Sequence, residues 1–112
     1  MPSYEMMYLM IPNLEDEAYE AVNQRFSDLI AENGGRIGKI DVWGKRRLAY
    51  EINKWREGFY TVIYFEAPAD VAKELDRVLK INEDVLRHII IRREDESTAV
   101  VKGKEAAAED VK

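Results

Sequence analysis

The apolar residues of this chain recur with a period of about two in some stretches and about 3.6 in others. The order of those stretches leaves few folds open. Tyr4 to Ile11 is apolar on both alternating faces and is ended by Pro12, so it predicts a strand covered on both sides. Ala18, Val22, Phe26, Leu29 and Ile30 then recur at helical spacing. Asn13 stands where an N-cap belongs, Glu15, Asp16 and Glu17 suit the positive end of a helix dipole, and Gly34-Gly35 after Asn33 is a stop signal.

Arg36 to Val42 predicts a second strand, Trp43 to Arg47 a turn or bulge around Gly44, and Leu48, Tyr50 and Ile52 a resumed strand with one buried face. Lys54 to Gly58 predicts a loop. Phe59 to Phe65, aromatic and β-branched, is the most strand-like run in the chain. Pro68 opens a second helix whose stripe is Val71, Leu75, Val78 and Leu79, and Val85 to Ile91 is the last strand. The order strand, helix, strand, strand, helix, strand is an α+β pattern, the split βαβ or ferredoxin-like arrangement. Right-handed crossovers put both helices on one face of a four-stranded antiparallel sheet and leave the other face for a partner. The domain is expected to span 1–93. From Glu94 the apolar period fails, and 94–112 is expected to be a disordered charged tail.

A chain of 112 residues, 46% of them hydrophobic, suits one domain with its own core. It has no Cys, which excludes disulfides, thiolate catalysis and cysteine metal sites. No stretch approaches the roughly 20 apolar residues that cross a bilayer, and the N-terminus lacks the pattern of a signal peptide; the expectation is a cytoplasmic protein. The formal net charge of -5 argues against a generic nucleic-acid binder, but the charge is unevenly spread. Residues 35–56 hold seven bases (Arg36, Lys39, Lys45, Arg46, Arg47, Lys54, Arg56) against Asp41 and Glu51. An anionic partner feels such a patch locally, within a Debye length of about 8–10 Å.

The residues offer little for catalysis. His88 is the only histidine, so no zinc set can form around it. Ser3, Ser27 and Ser97 suggest no triad. Gly34 to Gly38 follows a helix rather than a strand, so it does not open a dinucleotide site. Pro12-Asn13-Leu14-Glu15 is acidic and cannot cradle a phosphate after the first strand.

Recognition chemistry is better represented. Trp43-Gly44-Lys45-Arg46-Arg47-Leu48-Ala49-Tyr50 sets three adjacent cations between two aromatics. Arg grips phosphate bidentately, Lys adds a point charge, and Trp43 can stack on a base or an Arg. The same residues also fit a reading in which Trp43 and Tyr50 are core and the cations keep an edge strand soluble. A second cluster lies on the last strand: Arg87 and Arg93 share a face with Ile89 and Ile91, and Arg92 shares the opposite face with His88 and Ile90. Glu57 to Tyr64 fits the RNA-recognition-motif signature only in part, and Thr61 replaces a stacking aromatic, so base stacking on the sheet is poorly supported.

At Tyr4-Glu5, Trp43 to Tyr50, Ile52-Asn53-Lys54, Gly58-Phe59-Tyr60 and Asn82 to His88, the chain resembles the bacterial small-subunit ribosomal protein S6 family, in that family's order and spacing over about residues 3–93. The resemblance implies a ferredoxin-like fold. It also implies binding to the central domain of 16S ribosomal RNA together with ribosomal protein S18, with no catalysis, cofactor, metal or small-molecule substrate. It puts RNA-binding roles on Lys45, Arg46 and Arg47, and less directly on Lys54 and Arg87. The strand pattern adds Lys39, Arg92 and Arg93 as RNA-binding candidates, and Trp43, Tyr50 and Tyr60 as partner-binding candidates. Two positions depart from the family pattern: Pro2 stands where many members have Arg, and Glu51 where many have Pro. The rival reading is a ferredoxin-like dimerisation or small-ligand-sensing module that uses the free sheet face on itself.

Overall fold

The structure is a computed structural model that describes residues 1–93. The expected tail, 94–112, lies outside the described residues. The elements are β1 (Ser3–Met10), α1 (Asp16–Glu32), β2 (Arg36–Ile52), β3 (Trp55–Glu66), α2 (Ala69–Ile81) and β4 (Val85–Arg93). They form one four-stranded sheet in the order β2-β3-β1-β4, antiparallel at every step, which is the expected ferredoxin-like topology.

β1 is central because it has no polar face to give to water: Tyr4 to Met10 are all buried. Its residues divide between two cores. Tyr4, Met6, Tyr8 and Met10 face the helices and pack with Phe26, Ile30, Ile63, Phe65 and the α2 stripe Val71, Leu75, Val78 and Leu79. Met7 and Leu9 face the other way and pack with Tyr60, Val62 and Tyr64, flanked by Trp43, Leu48, Ile52 and Leu86. The second, smaller cluster makes the helix-free face a firm surface rather than a bare ladder.

Two local expectations are corrected, and one of two alternatives is decided. Asn13 does not cap α1. The helix starts at Asp16 after Glu15, with no side-chain cap. The linker is held instead by Tyr19, which the sequence reading left out of the stripe. Its hydroxyl donates to the Ile11 carbonyl at 2.7 Å and accepts from the Leu14 amide at 3.2 Å, and its ring stacks on Phe59 at 3.8 Å. Of the two readings of Trp43 to Arg47, the structure shows the bulge and not the turn. β2 runs through to Ile52, and register shifts after Ile37, Val42 and Arg47 absorb the irregularity, with Gly44 at φ +81°. Finally, Trp55 to Gly58 belong to β3 rather than to a loop. The turn is only Asn53 and Lys54, at φ 50° and 71°, between the paired Ile52 and Trp55. Positive φ at both central residues is the type I′ pattern, whose twist matches that of the strands.

His88 lies on the helix side of β4, with its Nε2 2.7 Å from Asp76 Oδ1 on α2. Lys80, then His88, hydrogen-bond the Asp76 carboxylate and hold it below its ordinary value of 3.8. A carboxylate depressed in the folded state stabilises the fold above its unfolded value, and the contribution disappears as pH falls through the folded value. The wild-type protein should therefore be more stable than Asp76→Asn at neutral pH, by a small margin since the pair is at the surface. Chemical denaturation should show the margin closing as pH drops below about 4.

Candidate nucleic-acid interface

The β2–β3 hairpin outruns the rest of the sheet. The last β1–β3 pair is Met10 with Phe59, whereas β2 and β3 continue to pair from Lys45 opposite Phe59, through Arg46 opposite Gly58, to Arg47 opposite Glu57. Lys45, Arg46, Arg47 and Lys54 are all exposed on this projection. Arg56 is tied to Glu51 at 3.1 Å, which neutralises two of the hairpin's charges. None of Lys45, Arg46, Arg47 and Lys54 forms an ion pair with another described residue.

The hairpin bends over the helix-free face. Leu48 and Ile52 pack against the cluster of Met7, Leu9 and Tyr60, and the Arg87 guanidinium on β4 lies over the Tyr50 ring, 5.2 Å from its centroid. Tyr50 does not share the burial of Leu48 and Ile52, because 55% of it stays exposed. Gly58 permits the close approach: a Cβ there would stand 2.2 Å from Leu9 Cδ1. Trp43 donates its indole N–H to Asp41 at 3.2 Å and leans against Tyr60 at a ring separation of 6.0 Å. Tyr60 itself is 3% exposed and acts as the floor of this arrangement. Beside it a pocket of about 180 Å³ is lined by Met7, Leu9, Tyr60, Arg87, His88 and Ile89.

The structure therefore gathers Lys45, Arg46, Arg47 and Lys54 on the hairpin that projects from one end of the sheet, next to Arg87, Tyr50 and Trp43; Arg46, opposite Gly58, is on the strand face that Trp43 and Leu48 share, whereas Lys45, opposite Phe59, and Arg47 are on the other. It does not gather all the candidates. Lys39 pairs opposite Tyr64 and Arg93 opposite Ser3, at the other end of the sheet. Arg93 lies over the Tyr64 ring at 5.2 Å. Burial pushes the Tyr64 phenol up, the charges of Glu5 and Asp41 push it further, and Arg93 opposes them. That locale is mixed in sign. Arg92 pairs opposite Tyr4 and so shares the helix-bearing face. The sequence reading did not distinguish Ile89, 42% exposed on the open face beside Arg87, from its buried neighbours. Only its pairing with Met7, a long-range fact, sets its position.

Among the described residues no cluster of His, Asp and Glu could hold a metal ion, and no helix is long and apolar enough to cross a membrane.

Comparison with known proteins agrees with this geometry. Residues 3–92 match the family model for ribosomal protein S6. The chain is 53% identical over 91 residues to the small ribosomal subunit protein bS6 of Carboxydothermus hydrogenoformans, covering 81% of this chain and 95% of that one. It is 46% identical to the protein of the same name from Moorella thermoacetica, covering 88% of this chain and 100% of that one. Among solved structures, the crystal structure of 30S ribosomal protein S6 from Thermotoga maritima superposes with a TM-score of 0.80 at 34% identity, covering 92% of this chain and 97% of that chain.

Proposed function

The chain belongs to the ribosomal protein S6 family, and from that premise we propose that it binds the central domain of 16S ribosomal RNA cooperatively with ribosomal protein S18. Membership makes it a structural protein of the small ribosomal subunit, in the cytoplasm, and not an enzyme. The observation that carries the RNA reading is the projecting hairpin, with Lys45, Arg46, Arg47 and Lys54 exposed and unengaged by any described acid. Phosphate oxygens are the acceptors that such donors select. Lys39, Arg92 and Arg93 stand apart from the hairpin and contribute at most to a second contact.

Trp43, Tyr50 and Ile89 form the accessible apolar surface next to the cations, and support the reading of the open face as the place for a protein partner. A partner seated there would widen the surface offered to RNA, giving positive coupling of about 1–3 kcal/mol. The test is binding to a 16S central-domain fragment with and without S18 at two salt concentrations. Tight, salt-dependent binding that needs the partner is the expected result. No binding in either condition would sink the reading.

Lys54 gives a sharper check, because its φ of 71° is strained for any side chain. Lys54→Gly should raise stability by about 1 kcal/mol by relieving that strain. If Lys54 meets phosphate, the same substitution should lower RNA affinity and reduce the salt slope by about one unit. Calorimetry and RNA titration of one variant would read both effects.

A further inference from the structure

We propose that RNA grips the β2–β3 hairpin on both faces, so that the hairpin lies between two separate segments of phosphate backbone. The inference deepens the RNA reading above and rests on it. Alternation along a strand sends neighbouring side chains to opposite sides. Lys45, opposite Phe59, and Arg47, opposite Glu57, share the face that bears the helices in the body of the sheet, whereas Arg46, opposite Gly58, stands on the face of Trp43 and Leu48. Within the sheet the first of these faces is buried under α1 and α2. On the hairpin it is open: pairing of β1 with β3 ends at Met10 and Phe59, and Lys45, Arg46 and Arg47 are all exposed. Arg87 adds a second cation on the Arg46 side, over the Tyr50 ring, and Lys54 occupies the turn at the tip. A ribbon that lay flat on one surface would carry its donors on one face. This one carries them on both.

Arg47 stands opposite Glu57 and yet makes no ion pair with it, so its donors stay available. Glu57 does leave that face less positive than the Arg46 side. Phosphate oxygens satisfy such donors from whichever side they approach. The shape of RNA limits where both approaches are met at once. A two-stranded ribbon enters the major groove of B-form DNA. The major groove of an A-form RNA helix is too deep and narrow for side chains, and the minor groove is wide and shallow. A continuous RNA duplex therefore meets one face of the hairpin and leaves the cations of the other unmatched. The site that matches both is a place where two RNA segments diverge, such as a helical junction or an opened loop. The gap between those segments, set by the thickness of the ribbon and its side chains, is what the hairpin selects. Preference for an RNA shape then follows from strand alternation, without any base being read.

The chain has no Cys, so a short photocrosslinker can be attached at one chosen position. Full-length Arg46→Cys, Arg47→Cys and, as a control on α1, Arg25→Cys would be labelled, assembled with S18 on the 16S central-domain fragment and irradiated. The probes at 46 and 47, adjacent in the chain, should mark two RNA segments that do not overlap, and the probe at 25 should mark neither. In parallel, Lys45→Gln combined with Arg47→Gln should reduce the salt slope by about two units and Arg46→Gln by about one, each cation being worth roughly 3- to 10-fold in affinity at low salt. A single segment marked by both hairpin probes would overturn the proposal, as would a slope that responds to one face alone. A probe at 46 that marks S18 and not RNA would give that face to the protein partner and overturn it equally. Failure of the unsubstituted chain to bind the fragment with S18 present would instead bring down the RNA reading itself, and is recognised before any probe is attached.

Discussion

Replacing Arg46 and Arg47 together with alanine is expected to weaken binding to the 16S central-domain fragment, measured with S18 present, by roughly 10- to 100-fold at low salt. The slope of log affinity against log salt should fall by about two units, one for each phosphate that an arginine no longer grips. The fold should not notice. Both side chains are exposed on the hairpin and hold no described acid, so the stability change should stay within about 0.5 kcal/mol. Arg25→Ala is the matched control, an exposed arginine on α1 behind the other face of the sheet, and it should leave the slope unchanged. An unaltered slope for the double variant would remove the hairpin from the RNA interface.

Tyr60 and Tyr50 separate support from contact. Tyr60→Ala should cost about 3–5 kcal/mol, because it empties the floor beneath Trp43 and Leu9 in a site only 3% exposed. For a domain of this size that is a fall in Tm of at least about 12 °C. Any loss of S18 binding by that variant would then follow the loss of fold. Tyr50→Ala should cost under about 1 kcal/mol, since its ring is 55% exposed and holds chiefly the Arg87 guanidinium. It should nevertheless weaken S18 binding measurably. A Tyr50 variant that binds S18 at full strength would exclude that ring from the partner surface.

These two tyrosines also show where sequence reading ends. Tyr50 and Tyr60 are both aromatic residues that alternate along strands, Tyr50 beside the charged Glu51 and Tyr60 within the uncharged run 58–65, and the period-two pattern alone assigns Tyr50 to the same buried face as Leu48 and Ile52. Burial of Tyr60 comes from its pairing with Leu9, about fifty residues away, and exposure of Tyr50 from its place on a hairpin that has run past β1. Periodicity did reveal β1, because a strand apolar on both faces has only the middle of a sheet to occupy, and it revealed the α2 stripe Val71, Leu75, Val78 and Leu79 in full. It failed at the Asn53–Lys54 turn, where the usual glycine is absent and tertiary pairing imposes positive φ on two ordinary residues. It failed again at α1, where a tyrosine hydroxyl four residues inside the helix organises the linker in place of an N-cap. The cationic patch was visible as a run of letters. Its division into hairpin residues and the distant Lys39, Arg92 and Arg93 was not, because that division depends on how far each strand continues beyond its neighbour.

The central place of β1 also orders events in time. Its two partners are β3, with Ser3 opposite Glu66, and β4, with Ser3 opposite Arg93. The first strand made by the ribosome therefore waits for the last described one before both its edges are closed. Until then a strand apolar on both sides has an open edge, the condition under which nascent chains associate wrongly. The hairpin, whose pairing is local, can close early, while closure of the sheet requires long loops to be drawn together and is correspondingly slow. During synthesis, the cationic arm is complete before the platform that carries it.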